Sequence, residues 1–322
     1  MIIYHETLSN FKMHVMLNQM EGILLSELHI KGLSGGSQSE INSWNNSLHF
    51  MKDVLDDNYF DENCYVAIEY NIPQTSKRVD FMIFGNNGSE DHVVIVELKQ
   101  WAKVSKVDDI SDHSIMSDLK SHEPVAHPSY QVYSYKSLIL NYCNEDELPE
   151  STLKPCAYLH NLSEKYRPVI TDKMFSEWLE EAPVFLQNDV LKMRNFIKQY
   201  IKVRAHDHSL LYKIEEGKLK PTKSLQDSLD SMLCGNKEFN MIDEQVVAYD
   251  KIMRAIQASQ EDNEKHVIII TGGPGTGKSV LAINVLARTI IDLKLNASYI
   301  TKNMACGDGL CFNIKEVMLN IC

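Results

Sequence analysis

Three charged side chains, Asp80, Glu97 and Lys99, lie inside two apolar segments that the sequence predicts to be strands. Glu97 and Lys99 are two residues apart in VVIVELK, so a strand places them on one face. Charges at the end of a buried strand are costly unless they have partners. Two carboxylates can bind Mg²⁺ or Mn²⁺, which activates water, and a lysine can stabilise developing charge. The three residues therefore predict a site for metal-dependent chemistry on phosphates.

An alternative explanation is a salt bridge between Glu97 and Lys99 on a half-exposed strand, with Asp80 as a solvated carboxylate. The E-x-K spacing alone occurs often and is weak evidence. The wider arrangement favours the functional interpretation. A strand that contains Asp80 is followed by a hairpin-length loop and by the strand that ends in E-x-K, with a predicted helix on each side.

A second motif, GGPGTGKS, matches G-x-x-x-x-G-K-[ST] between a predicted strand at His266–Thr271 and a predicted helix from Val280 to about Leu293. Backbone N–H groups of such a loop, together with the following helix N-terminus, bind phosphates. The lysine contacts the β- and γ-phosphates, and the serine binds Mg²⁺. The motif therefore predicts an ATP site formed by Gly272, Gly275, Gly277, Lys278 and Ser279.

The hydrophobic pattern predicts the elements that position the first site. In chain order they are a helix, three strands, a helix and a strand. The acidic stretch 108–113 after the E-x-K strand predicts a solvated loop. The predicted elements are a helix with Ser39 as N-cap, strands Tyr65–Tyr70, Arg78–Phe84 and Val93–Leu98, helix Tyr130–Tyr142 and strand Lys154–Leu162.

The length of 322 residues predicts more than one domain in an α/β chain. Residues 1–165 form the first predicted domain, whose opening 35 residues are weakly patterned. Residues 166–235 form a mostly helical connector. Residues 236–322 carry the first βαβ part of a P-loop NTPase fold.

Composition narrows the class of protein. The chain is 44% hydrophobic and 24% charged, with a net charge of −12, which argues against a broad basic surface for nucleic acid. Any nucleic-acid contact should then be narrow and dependent on divalent metal. The sequence predicts no signal peptide, no membrane contact and, from seven scattered cysteines, a cytoplasmic protein with reduced thiols.

From about Ser39 to Leu162 the chain resembles the PD-(D/E)xK nuclease superfamily, whose core is αβββαβ. The resemblance implies a nuclease with Asp80 and Glu97 as ligands of Mg²⁺ or Mn²⁺ and Lys99 as the catalytic lysine. Val79 stands where the motif has proline. Further residues of this sequence match family features. Glu40 matches the upstream acidic residue and would be a third metal ligand, and Gln131 with Tyr135 matches the QxxxY feature of the second helix.

Some of these assignments keep alternatives. Glu40 could instead stabilise the dipole of its own helix, and Glu69 on the neighbouring strand competes for the metal role. Gln131 and Tyr135 lie at i and i+4 and could simply form a polar helix face.

The segment FNMIDEQVVAYDKIM resembles the adenine-reading segment of superfamily 1 helicases, which implies a nucleotide contact by Gln245. Together, the two motifs are similar to those of bacterial nuclease–helicase immunity proteins, whose ATPase is of the Schlafen-like group. The resemblance implies anti-phage defence, a nucleic-acid partner, with DNA favoured and RNA the open alternative, and nucleotide binding.

The residues after Thr301, KNMACGDGLCFNIKEVMLNIC, show no hydrophobic strand pattern suited to a Walker B acid. We therefore expect an incomplete ATPase and no helicase activity from this chain alone. An unpaired strand edge would then favour association between copies. A regulatory fragment that binds nucleotide or nucleic acid without catalysis is the alternative function.

Overall fold

A computed structural model describes residues 1–33, 36–73, 75, 77–107, 112–119, 123–143, 148–206, 209–215, 240–262, 264–273, 275–301 and 317–321. The chain divides into two compact units, Met1–Lys220 and Pro221–Cys322, which are taken in turn. Within the described ranges, no helix is long and apolar enough to cross a membrane.

The first unit is built on a six-stranded mixed sheet. The described strands of the first unit are β1 Ile2–Thr7, β2 Tyr65–Asn71, β3 Arg78–Asn86, β4 Asp91–Lys99, β5 Val104–Ser105, β6 Ser114–Ser117, β7 Pro124–Ala126, β8 Leu153–Leu159 and β9 Val184–Leu186. The main sheet has the order β1-β2-β3-β4-β8-β9, and β5-β6-β7 form a separate small sheet. Strands β1 to β4 are antiparallel to their neighbours, whereas β4, β8 and β9 are parallel.

Helices cover both faces of this sheet. They are α1 Leu8–Met16, α2 Met20–Ile30, α3 Gln38–Leu55, α4 Pro128–Tyr142, α5 Arg167–Ile170, α6 Ser176–Glu181, α7 Val190–Lys198 and α8 Ser209–Glu215. One face carries the α3-side core, which includes Phe11, Leu24, Trp44, Val94 and Met193. The other carries the α4-side core, which includes Val93, Ile95, Val132, Ile139 and Ile214. The first unit is thus a layered α/β structure.

Strand β4 occupies the middle of the sheet because its apolar run is buried on both faces. Val94 and Val96 pack in the α3-side core, and Val93 and Ile95 pack in the α4-side core. Each such side chain contributes roughly 1.5–3 kcal/mol on full burial. This pattern is typical of strands covered by helices on both sides.

The observed order α3-β2-β3-β4-α4-β8 contains the predicted helix, three strands, helix and strand. The small sheet β5-β6-β7 lies between β4 and α4 in the chain. Within the predicted, mostly helical connector 166–235, Val184–Leu186 form strand β9 rather than helix. Three residues are too few to show a period, and their pairing with β8 decides their conformation. Residues 216–239 lie outside the described ranges.

The predicted N-cap of α3 was also wrong. Ser37, not Ser39, caps the helix, and Ser39 lies inside the first turn. The Ser37 hydroxyl accepts a hydrogen bond from the Glu40 backbone N–H at 3.3 Å, and the Glu40 carboxylate accepts one from the Ser37 N–H at 2.9 Å. This reciprocal capping box requires a glutamate three residues after the cap, which only Ser37 has.

The second unit contains α9 Asp243–Asp262, α10 Lys278–Ile291, β10 Ala297–Thr301 and β11 Val317–Ile321. Helices α9 and α10 pack together, and β10 pairs antiparallel with β11. Strand β10 therefore corresponds to the second strand of the predicted βαβ part. Strand β11, which the sequence did not predict, contains no acidic residue.

The strand predicted at His266–Thr271 is not formed. These residues are assigned neither helix nor strand, and Val267 and Ile269 are 87% and 82% exposed. A β-strand needs a neighbour for its backbone hydrogen bonds, and no described strand of this unit pairs with the segment. The P-loop motif therefore begins after an extended apolar segment rather than after a paired strand.

Replacement of Ser37 by alanine should lower the free energy of unfolding by about 1 kcal/mol, because the first-turn N–H of α3 loses its acceptor. Urea unfolding followed by circular dichroism measures the change. Ser39→Ala is the matched control and should change stability by less than about 0.5 kcal/mol. Equal losses in both variants would contradict the assignment of the cap.

Candidate active site

The structure brings Asp80, Glu97 and Lys99 together at the ends of β3 and β4. Regular pairing of these strands ends at Phe81 and Val96, so Asp80 and Glu97 occupy the next level of the sheet. An Asp80 carboxylate oxygen accepts a hydrogen bond from the Leu98 backbone N–H at 2.7 Å. Lys99 Nζ donates to Glu97 Oε1 at 2.6 Å. All three predicted residues therefore converge around one short segment of β4.

The charged groups of Glu97 and Lys99 are held by contacts within the protein. Glu97 is 3% exposed, so its carboxylate depends on local partners rather than on bulk water. The Lys99 ammonium, which bonds to it, also lies 5.7 Å from the centroid of the Trp101 ring. Trp101 itself is buried in the core beside β8 and β9. Lys99 is thus held between a carboxylate and an aromatic face.

The donor set of Asp80 and Glu97 fits a hard divalent cation. Carboxylate oxygens are preferred ligands of Mg²⁺, which usually keeps several waters and takes one or two carboxylates from the protein. Among the described residues, no group of three or more His, Cys, Asp or Glu side chains is placed to hold a metal ion. The fit therefore rests on two carboxylates.

The predicted third ligand, Glu40, has other partners. It belongs to the capping box with Ser37, and its carboxylate lies 3.3 Å from Arg78 Nη1. Burial raises the pKa of Glu40, but the hydrogen bonds from Ser37 and the charge of Arg78 outweigh this and lower it overall. The role of Glu40 as a metal ligand stays a prediction.

Glu69, the alternative candidate, is buried and has a left-handed backbone with φ of 56°. For a residue other than glycine, this conformation costs roughly 1–3 kcal/mol. Its carboxylate accepts hydrogen bonds from Trp44 Nε1 at 2.7 Å and Arg78 Nη1 at 3.2 Å. Burial raises the pKa of Glu69, and the bonds from Trp44 and Arg78 oppose that rise. Arg78 thus links the two candidate carboxylates.

Gln131 and Tyr135 contact each other on α4. Gln131 Nε2 donates to the Tyr135 hydroxyl at 2.8 Å, and the Tyr135 ring packs in the α4-side core. Helix α4 packs against β4 and β8. The pair is therefore held on the helix that covers the strand of Glu97.

A closed ring of hydrogen bonds, which the sequence did not indicate, fixes the end of β4 from the α3 side. Gln100 Nε2 donates to Ser47 Oγ at 3.4 Å, and Ser47 Oγ lies 2.9 Å from His160 Nε2. His160 Nδ1 lies 3.2 Å from Asn161 Oδ1, and Asn161 Nδ2 donates to the Gln100 carbonyl at 3.4 Å. Burial lowers the pKa of His160, and the hydrogen bond to Asn161 opposes this only partly. The only sequence signal for His160 was its position near the end of the predicted strand Lys154–Leu162.

The prediction that residues 108–113 form a solvated loop was wrong for His113. Its ring contacts Tyr130 at a centroid distance of 4.7 Å and Trp178 at 5.1 Å, and Trp178 Nε1 donates to the Asp112 carbonyl at 2.7 Å. Aromatic residues distant in sequence bury this end of the segment. Residues 108–111 lie outside the described ranges.

The P-loop motif has the backbone shape that its glycines allow. Gly275 and Gly277 have φ of 74° and 79°, and α10 begins at Lys278, so Ser279 lies in its first turn. Lys278 Nζ donates to the carbonyls of Gly272 and Gly273 at 2.8 and 2.6 Å. The Lys278 ammonium therefore lies against the loop in which it is predicted to contact phosphates.

Gln245, predicted to read adenine, contacts the same loop. Its amide Nε2 donates to the Thr276 carbonyl at 3.0 Å, and its Oε1 accepts from the Ile242 N–H at 3.1 Å. A Cβ at Gly277 would collide with this amide. Residue 277 must therefore be glycine both for its backbone angle and for the approach of Gln245.

A buried histidine, His127, caps the helix that carries Gln131 and Tyr135. Its Nδ1 accepts from the Ser129 N–H at 3.3 Å, and its Nε2 lies 2.9 Å from the Ile170 carbonyl, so Nε2 carries the proton. Burial lowers its pKa to about 4, and the bond to Ile170 opposes this only partly. His127 is therefore neutral in the folded protein.

Acidification from pH 7 to pH 5 should therefore cost about 2 kcal/mol of stability through His127, because only the unfolded chain binds the proton in this range. The loss begins near pH 6.5 and is complete near pH 4. Urea unfolding at both pH values should show a smaller loss for His127→Asn, which keeps a capping oxygen. An identical loss in the variant and the parent would exclude His127 as the cause.

Comparisons with known proteins bear on the second unit only. Residues 265–316 match the family model described as Schlafen group 3, DNA/RNA helicase domain. No curated protein matches the chain. No solved structure matches it either. The match spans the P-loop motif and α10 and confirms the predicted Schlafen-like helicase segment within this range.

Proposed function

We propose that the first unit is a metal-dependent nuclease of the PD-(D/E)xK type, which hydrolyses phosphodiester bonds in DNA. The observation that carries this proposal is the convergence of Asp80, Glu97 and Lys99 at the ends of two neighbouring strands. The order of helix, three strands, helix and strand around them supports it. The mixed sheet, together with the helices that cover it, is compatible with the αβββαβ core of that superfamily.

Each residue has a role that its setting supports. Asp80 and Glu97 would hold Mg²⁺ or Mn²⁺, and the bound ion supplies acidified water and neutralises charge on the phosphate. Lys99, which donates a hydrogen bond to Glu97, would position the attacking water or stabilise negative charge in the transition state. The core packed around β4 keeps these groups in fixed positions.

The second unit would bind nucleotide at the P-loop. Lys278 and Ser279 would contact the phosphates and Mg²⁺, and Gln245 would contact adenine. Likeness of residues 265–316 to a DNA/RNA helicase domain supports a nucleic-acid partner for the protein. The role in anti-phage defence rests on the combination of the two motifs alone.

A second candidate function is a regulatory module that binds nucleotide or nucleic acid without cleavage. The helicase-domain match favours it, because that match lies outside the first unit and names a DNA/RNA helicase domain rather than a nuclease. The two proposals differ in whether the first unit cuts phosphodiester bonds.

Cleavage of labelled DNA and RNA, single- and double-stranded, with Mg²⁺, Mn²⁺ or EDTA tests the main proposal. We expect cutting that requires metal and falls by at least about 100-fold in Asp80→Asn and Lys99→Ala, because each loses a group that acts in the transition state. Asp53→Asn and Lys103→Ala, at exposed positions outside the site, are the matched controls.

Retention of full cleavage by either site variant would contradict the assigned roles. Absence of cleavage by the parent chain on every substrate, with nucleotide or nucleic acid still bound, would instead favour the regulatory function. Circular dichroism confirms that each variant is folded.

Nucleotide binding should depend on the left-handed glycine of the P-loop. Gly277→Ala should weaken binding of a fluorescent ATP analogue by at least about tenfold, since a side chain there strains the backbone and displaces Gln245. Gly273→Ala is the control, because a Cβ at that position would meet only an ordinary contact 3.8 Å away. Equal affinities for both variants would argue against this loop as the nucleotide site.

A further inference from the structure

The alternation of side chains is interrupted on β2 and β3 at the level of Asp80. Ile68 pairs with Phe81, and both pack in the α3-side core. Tyr70 pairs with Val79, and both pack in the α4-side core. Residues two apart on a regular strand share one face, so the two strands change face together between these pairs.

Glu69 lies at the point of this change. It has the left-handed backbone angle within β2, and it is the residue between Ile68 and Tyr70, opposite Asp80. Its carboxylate reaches Trp44 on α3 and Arg78 on β3. Glycine would adopt the same backbone without strain, whereas glutamate also anchors the turned segment through two hydrogen bonds.

The change of face coincides with the separation of β3 from β4. Regular pairing of β3 with β4 ends at Phe81 and Val96, whereas β4 stays paired with β8 as far as Lys99 and Leu159. Beyond the last β3–β4 pair, the Asp80 carboxylate accepts a hydrogen bond from the Leu98 backbone N–H. The side chain of Asp80 thus reaches β4 where regular backbone pairing has stopped.

We propose that Glu69 is a positioning residue of the metal site. Its left-handed conformation, locked by Trp44 and Arg78, turns the ends of β2 and β3 so that the Asp80 carboxylate is directed to β4 beside Glu97. Glu69 contacts neither metal nor substrate in this role. The inference rests on the proposed nuclease function, since it assumes that Asp80 and Glu97 share an ion.

Binding of Mn²⁺ by the full chain, measured by electron paramagnetic resonance without substrate, tests this role apart from catalysis. Glu69→Gly keeps the left-handed backbone accessible, whereas Glu69→Val disfavours it strongly. We expect the Kd for Mn²⁺ to rise at least about tenfold in Glu69→Val and less than about threefold in Glu69→Gly. Glu27→Ala, which removes an exposed partner of Lys31, is the control and should not change the Kd.

Trp44→Phe provides a second variant in case Glu69→Val does not fold. It removes the indole donor to Glu69 but leaves the amino acids of β2 unchanged, and we expect a Kd for Mn²⁺ between those of the glycine and valine variants. Thermal unfolding of every variant confirms that the affinities are compared between folded proteins.

The outcomes separate this proposal from the proposed function. If the parent binds Mn²⁺ and cleaves nucleic acid but the glycine and valine variants match it or weaken equally, the positioning role of Glu69 is wrong and the nuclease stands. If the parent neither binds Mn²⁺ nor cleaves, the proposed function fails and the role of Glu69 with it. A clearly weaker affinity in the valine variant than in the glycine variant, with Trp44→Phe between them, supports the proposal.

Discussion

The cost of burying charge at the end of an apolar strand governs the architecture of the first unit. Glu97 and Lys99 follow a run of residues that is buried on both faces of the sheet. Water hardly reaches the Glu97 carboxylate, so protein partners or a bound cation must stabilise its charge. The Glu97–Lys99 ion pair and the nearby aromatic ring of Trp101 supply part of that stabilisation.

The surrounding elements hold this charged strand end from opposite sides. On the α3 side, Gln100, Ser47, His160 and Asn161 close a ring of hydrogen bonds that joins β4 to α3 and to the end of β8. On the other side, α4 packs against β4, with His127 as its cap. A polar network whose groups are satisfied gives a more rigid position than apolar contacts alone. The catalytic candidates therefore lie at a strand end that is held from both sides of the sheet.

The second unit shows the same dependence of a site on its backbone. Left-handed glycines shape the P-loop, Gln245 closes over Gly277, and Lys278 bonds to loop carbonyls. This arrangement forms although the preceding segment His266–Thr271 has no strand partner in the described part of the unit. Local conformational preference, the start of α10 and the contact from Gln245 thus shape the loop without a paired strand before it.

The sequence alone determined what depends on local pattern: the central strands, helices α3, α4 and α10, the Asp80–Glu97–Lys99 set and the glycines of the P-loop. Hydrophobic period and motif spacing carry that information along the chain. Tertiary structure decided what depends on distant partners. Strand β9 needs β8, His160 needs Ser47, His113 needs Trp178, and the conformation of Glu69 needs Trp44 and Arg78. These contacts join residues far apart in sequence. They form only when the chain folds, so no local sequence pattern predicts them.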